Sequence, residues 1–289
     1  MKLALQQQTA IITGASQGLG LVIAQHFLQA GANVVFCGRT QKTVDQAADM
    51  LSQYCKNNRV MGLTADITQH EDCENIVSTC LREFQCIDIL VNNAGIHGAK
   101  GPVDEVEWAA WESAIDVNLK GTVKMCRLVL PLMKKNKKGK IIILSGGGAT
   151  KPMPFMSAYA ASKAAIVRFS ETLSEEVKAW NIDVNAVAPG AMNTQLLDDV
   201  LQAGPALIGE KKYQDALKQK ESGGDDPNRA AKLCVYLASS ESNGITGKLI
   251  SAIWDPWENF SRYLTELKNS DVYTLRRIIP EERGLVWKE

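Results

Sequence analysis

The stretch TAIITGASQGLGLVIAQHFLQAGA, Thr9 to Ala32, limits what this chain can fold into more than any other. Thr9 to Thr13 reads as a buried strand; Gly14, Gly18 and Gly20 follow at once, and an apolar helical pattern runs from Leu19 to Ala30. A strand that turns through glycines into a helix lets the backbone approach a ligand closely. It also offers that ligand the helix's free N–H groups and positive dipole end, which suits a pyrophosphate. The spacing is G-x-x-x-G-x-G, not the commoner G-x-G-x-x-G of dinucleotide sites.

The alternation begun there continues. Asn33 to Cys37, Arg59 to Leu63, Asp88 to Val91, Lys140 to Leu144, Ile182 to Ala188 and Lys248 to Ile253 read as further strands. Helical patterns lie between them at Gln41 to Cys55, Val103 to Met133, Ser157 to Trp180 and Pro227 to Ala238. Strands alternating with helices imply a doubly wound parallel α/β sheet with helices on both faces. A chain of 289 residues, 45% of them hydrophobic, can bury one large core. The expected division is a dinucleotide-binding catalytic domain over 1–253, with a lid-like segment at 194–226, and a C-terminal extension over 254–289 that packs on the same domain or on a neighbouring subunit.

Composition narrows the partners. The 32 basic residues balance 32 acidic ones, so no basic field argues for nucleic acid. No window reaches the roughly 18 apolar residues of a membrane span, and the first residues are too short an apolar run for a signal peptide. A soluble, cytoplasmic protein with a small-molecule partner is expected. The seven cysteines are odd in number and lack a C-x-x-C pair, and the three histidines lack ligand spacing, so no metal site is assigned.

Several positions carry chemistry. An NAD-specific fold of this type usually places Asp or Glu after the second strand, where this chain has Gly38 and Arg39. A guanidinium there can hold a 2′-phosphate, so NADP is preferred over NAD, with NAD still possible. Asp66 is placed either to accept from an adenine amino group or to cap the next helix. Asn92, Asn93, Ala94 and Gly95 sit at a strand's carboxyl end, where open parallel sheets bind ligands. Asn118, inside a helical pattern, suggests a local break or a bound water. Tyr159 and Lys163 are four residues apart, so they stack on one helical face. An ammonium beside a phenol favours the phenolate and would draw the tyrosine pKa down toward neutrality.

TGASQGLG, NNAG, VNLKG, YAASK and APGAMNT occur in this order, and with them the chain resembles the short-chain dehydrogenase/reductase family from about Thr9 to about Ile253. The resemblance implies a parallel sheet of about seven strands and an NADP-dependent interconversion of a carbonyl and an alcohol. It implies that Tyr159 is the general acid and base, Lys163 its pKa modulator and ribose ligand, and Asn118 the anchor of a proton-relay water. Gly14, Ser16, Gly18, Leu19 and Gly20 would then hold the pyrophosphate. Asp66, Ile67, Asn93, Ala94 and Gly95 would serve the adenosine side, and Pro189, Gly190 and Thr194 the nicotinamide carboxamide. A homodimer or homotetramer is also expected.

One position departs from the family pattern. The substrate-polarising serine usually lies 13 residues before the tyrosine, where this chain has Gly146, with Ser145 one residue earlier. Neighbouring strand residues face opposite ways, so Ser145 can serve only if the strand end bulges, which Gly146 to Gly148 would permit. Ser145 is taken as the candidate on that condition. Two other readings stand beside the leading one: a catalytically weak dinucleotide-binding regulator, and an NAD-dependent sugar-nucleotide epimerase or dehydratase.

Beyond the motifs, the lysine-rich helical stretch EKKYQDALKQKESGG lies between Gly204 and the pair Gly223 and Gly224, as a lid would. The extension carries Trp254, Trp257, Phe260, Tyr263 and Leu264, expected to form one aromatic cluster on a short helix. Its arginines 262, 276, 277 and 283 are expected to be solvated or paired with Glu266, Glu281 and Glu282 rather than to meet a phosphate or carboxylate of the substrate.

Overall fold

The computed structural model describes residues 3–287. Seven strands, β1 (Thr9–Ile12), β2 (Asn33–Gly38), β3 (Val60–Thr64), β4 (Ile89–Asn92), β5 (Gly139–Leu144), β6 (Ile182–Ala188) and β7 (Leu249–Ser251), form one parallel sheet in the order β3-β2-β1-β4-β5-β6-β7. After β3 the chain returns to place β4 on the other side of β1. At such a switch the connections leave the two strands in opposite directions, and a crevice opens beyond their carboxyl ends.

The core follows from the two-residue period of the strands. Ile12, Val34, Phe36, Ile142 and Leu144 pack with α1 (Gly18–Gln29), α2 (Gln41–Ser52) and α9 (Pro227–Ala238). Their neighbours Ile11, Val35, Ile141 and Ile143 pack with α3 (His70–Phe84), α5 (Thr122–Asn136) and α6 (Ser157–Val177). Both sheet faces are therefore dry, which is why the strands read as unbroken apolar runs.

The helical stretches differ in detail from the sequence patterns. The long helical pattern over Val103 to Met133 starts only at α4 (Trp108–Ile115), and its middle turn, Asp116–Gly121, widens to i→i+5 bonding before α5 begins. Asn118 sits in that widened turn, so its break takes the form of a single-turn bulge inside a continuing helix. The proposed lid is two helices, α7 (Gln195–Ile208), kinked at Gly204 with φ +74° ahead of Pro205, and α8 (Glu210–Ser222). Their inner faces bury Leu197, Val200, Ile208 and Ala216 against Met156 and Tyr159.

The tail's aromatics do not form one cluster. Trp257 and Phe260 are buried with Leu267 of α10 (Leu264–Asn269) in the same core as α1 and α9, whereas Trp254 is 84% exposed and Tyr263 is also exposed. In the 3₁₀ stretch Trp257–Tyr263, Trp257 and Phe260 stand three residues apart on the face turned to the core, whereas Trp254 precedes the stretch and Tyr263 ends it. Trp257 Nε1 donates to the Ala252 carbonyl at 3.1 Å, and Leu249 N donates to the Tyr273 carbonyl at 2.7 Å. Among the tail arginines, Arg276 pairs with Glu282 at 2.6 Å and with Asp271 at 2.8 Å. Arg262, Arg277 and Arg283 pair with no carboxylate among the described residues.

Candidate active site

The carboxyl ends of the strands open onto a cavity of about 790 Å³. Gly14, Ser16, Gly18, Leu19, Gly20, Arg39, Asp66, Ile67, Asn93, Ala94, Gly95, Ser145, Tyr159, Lys163, Pro189, Gly190 and Thr194 all line it. Asn118 does not. Sequence reading missed Thr40, Thr43, His97, Met156, Lys212 and Asp215 on the same wall. His97 carried a findable signal, because it stands four residues past Asn93 on the loop already assigned to ligand binding.

The glycine turn is shaped for close approach. Gly14 has φ +64°, and a Cβ on it would lie 2.7 Å from Ala94 Cα. Gly20 is closed for another reason: a Cβ there would lie 2.4 Å from Asn93 Nδ2, which donates to the Thr13 and Gly14 carbonyls. Thr13 Oγ1 in turn accepts from the backbone N–H groups of Asn93 and Ala94, tying the loop after β4 to the turn after β1. Gln17, at the start of α1, provides no side-chain cap, so the first-turn N–H groups remain open toward the cavity. These features fit a dinucleotide: its pyrophosphate would lie on the turn and the α1 terminus, held by backbone donors.

Around the end of β2, exposed Arg39 has no ion-pair partner among the described residues and shares the wall with Thr40, Thr43 and Ser16. Asp66 does local work as well as lining the cavity: its Oδ1 accepts from Thr68 N at 2.9 Å in a turn before α3, whose N-cap is Gln69. Ala191 N donates to Asp225 Oδ2 at 2.6 Å, and a Cβ on Gly190 would meet that oxygen at the same 2.6 Å. Asp225, unnoticed in the sequence, thus braces the loop that follows β6.

Tyr159 and Lys163 stand on α6, one turn apart and both buried. Lys163 Nζ donates to the Leu144 carbonyl at 2.8 Å and lies 5.7 Å from the centre of the Tyr159 ring. The expected lowering of the phenol's pKa is not what this arrangement produces. Burial, which penalises the charged form, pushes Tyr159 up to about 12, and the same cause pushes Lys163 down to about 8. An ammonium that spends one N–H on a carbonyl and sits beside the ring rather than at its oxygen does not outweigh that desolvation.

Asn118 acts beneath the cavity. Its Oδ1 accepts from Ile96 N at 2.9 Å, and its Nδ2 donates to the Ile96 carbonyl at 2.9 Å and to Ser162 Oγ at 2.8 Å. Both Nδ2 hydrogens and one lone pair of Oδ1 are used, and the side chain clamps the β4 loop to α6. Its backbone carbonyl accepts from Thr122 Oγ1 at 2.9 Å.

The condition on Ser145 is not met. Ser145 N continues the ladder by donating to the Val187 carbonyl at 2.8 Å, and its Oγ is buried with no hydrogen-bond partner. Gly146 is the residue that faces the phenol: a Cβ on it would lie 2.4 Å from the Tyr159 hydroxyl. Extended neighbours point opposite ways, so with Gly146 turned toward the tyrosine the preceding hydroxyl is turned away.

A glycine turn for a pyrophosphate and a tyrosine–lysine pair on one cavity define a nucleotide-dependent oxidoreductase of the doubly wound class. Residues 8–204 match the family model described as short chain dehydrogenase, and the chain belongs to that family. It is 35% identical over 246 residues to the dehydrogenase/reductase SDR family member 4 of Caenorhabditis elegans, covering 84% of this chain and 92% of that protein. Among solved structures, it resembles 7α-hydroxysteroid dehydrogenase complexed with NADH and 7-oxo glycochenodeoxycholic acid (29% identity, TM-score 0.76, 86% and 94% of the two chains). It also shares its fold with NAD⁺-bound xylitol dehydrogenase (23% identity, TM-score 0.78, 86% and 98% covered). No helix among the described residues is long and apolar enough to cross a membrane.

Proposed function

We propose that the chain is an NADP(H)-preferring oxidoreductase that interconverts a carbonyl and an alcohol on a small molecule, with Tyr159 as the acid and base. The observation that carries this reading is Tyr159, whose hydroxyl makes no hydrogen bond to a protein group among the described residues and which lines the cavity that also holds the Gly14–Gly20 turn. A bound nicotinamide would supply or accept the hydride at the substrate carbon. Tyr159 gives its proton to the substrate oxygen in reduction and takes it back in oxidation. A phenol held at about 12 is fully protonated at neutral pH, which suits it first to the reductive direction.

Lys163 keeps N–H groups available for a ribose hydroxyl and supports the negative charge that develops as the phenol loses its proton. Asn118 fixes the relative position of the β4 loop and α6, so it acts by positioning. Arg39 with Thr40 and Thr43 supports the preference for a 2′-phosphate. A homodimer or homotetramer, and a cytoplasmic location, belong to the same proposal.

NADPH absorbance followed over a panel of aldehydes and ketones tests it. Wild-type protein should oxidise the cofactor with at least one of them, and Tyr159→Phe should lower that rate by about 10³-fold while still binding NADPH. A second reading, a regulator that binds the nucleotide without turnover, is favoured by Gly146 and by the sealed hydroxyl of Ser145. Cofactor binding with no oxidation across the panel would establish it instead.

A further inference from the structure

We propose that His97 supplies the second hydrogen bond to the substrate's oxygen, from an Nε2–H that takes the place left empty by Gly146 and Ser145. This rests on the oxidoreductase reading. A carbonyl must be held by more than the acid that protonates it, because a single donor leaves the oxygen free to swing and the developing charge partly unsupported. Neither Gly146 nor Ser145 can help: Gly146 has no side chain, and the Ser145 hydroxyl is sealed away.

His97 has the position and the free valence. Its ring meets the Tyr159 ring edge-on, with centroids 4.7 Å apart and an interplanar angle of 81°. It is 8% exposed, and what is exposed faces the cavity. Nδ1 is sealed without a partner, and Nε2 makes no hydrogen bond to a protein group among the described residues, so Nε2 is the nitrogen open to the cavity. A ring buried this deeply with neither nitrogen tied to protein is unusual, since buried polar groups are nearly always partnered.

The protonation state follows from the surroundings. Burial first, then the nearby positive charges of Lys100, Lys212 and Lys163, against Asp199 alone on the other side, holds His97 down at about 3. The ring is therefore neutral at physiological pH and carries one proton. Placing it on Nδ1 would orphan a buried donor, whereas placing it on Nε2 orphans only an acceptor and points the donor into the cavity; the second costs less. A neutral donor also suits the step: it stabilises the growing charge on the oxygen without competing with Tyr159 to deliver the proton.

Long-range ¹H–¹⁵N correlation spectra of protein labelled at histidine, with the His97 signals assigned by their loss in His97→Phe, test the assignment without substrate. The expected result is a neutral Nε2–H ring that does not titrate between about pH 5 and about pH 9. An Nδ1–H tautomer, or titration near the ordinary histidine value, overturns it. In kinetics with NADPH and the carbonyl of the panel that turns over best, His97→Phe keeps the ring contact and removes the donor. It should lower kcat/KM by about 10²-fold with NADPH affinity unchanged. Turnover within about threefold of wild type would overturn the assignment while leaving the proposed activity standing. If wild type oxidises no NADPH, the activity reading is what fails, and the tautomer measurement decides for His97 alone.

Discussion

The two ends of the sheet treat a buried lysine in opposite ways. At the amino-terminal end, Lys140 Nζ meets Asp183 Oδ2 at 2.8 Å and Ser242 Oγ at 3.1 Å, in a closed ion pair between neighbouring strands. At the carboxyl end, Lys163 has only the Leu144 carbonyl among the described residues. Burial lowers the pKa of both, but Asp183 opposes the effect at Lys140, while no carboxylate opposes it at Lys163. One end of the molecule satisfies its charges internally and holds the fold together. The other leaves a cation, a phenol and an imidazole with unused hydrogen-bonding capacity, which is what a ligand needs to find.

Replacing each lysine by methionine is the sharpest way to break that contrast. Lys163→Met should lower turnover by about 10²-fold or more while the protein stays folded. Lys140→Met should leave the half-buried Asp183 without its cation, at a cost of about 3 kcal/mol in chemical denaturation, with kcat of the folded fraction intact. Similar behaviour of the two variants in both assays would erase the distinction. Next in size is Arg39→Ala, which should cut the NADPH-over-NADH preference, read from the two kcat/KM values, by about tenfold. An unchanged ratio would assign the exposed guanidinium to solvent.

The smallest effect is in pH. Lys163 is protonated below its folded value of about 8 and neutral above it, so the reductive kcat/KM should hold through neutral pH and decline above about 8. Tyr159, at about 12, stays protonated across that range and contributes no second bend. A profile flat to pH 10 would separate the lysine's charge from the chemistry.

The sequence made most of this frame readable because its signals are local. A glycine turn between a strand and a helix, apolar runs for strands dry on both faces, and Tyr159 one turn from Lys163 each lie within a few residues. What stayed hidden depends on residues far apart in the chain. The widened turn at Asn118 is held by Ile96, 22 residues before it, and by Ser162, 44 residues after it. The pKa of Tyr159 depends on how tightly the helices from Gln195 to Ser222 cover it, which periodicity does not report. The direction of the Ser145 hydroxyl turned on one residue of register at the end of a strand. In the tail, the burial of Trp257 and Phe260 depends on packing into the core with α1 and α9, far off in the chain, while Trp254 just before them stays exposed.

The bond from Leu249 N to the Tyr273 carbonyl also bears on how this protein can be handled. It occupies part of the border of β7, the outermost strand, where bare amide groups would otherwise recruit a strand from another molecule. A version trimmed just past Ile253 would lose both that cover and the plug made by Trp257 and Phe260. Its precipitation would report an uncapped sheet, and says nothing against the chemistry at the opposite rim.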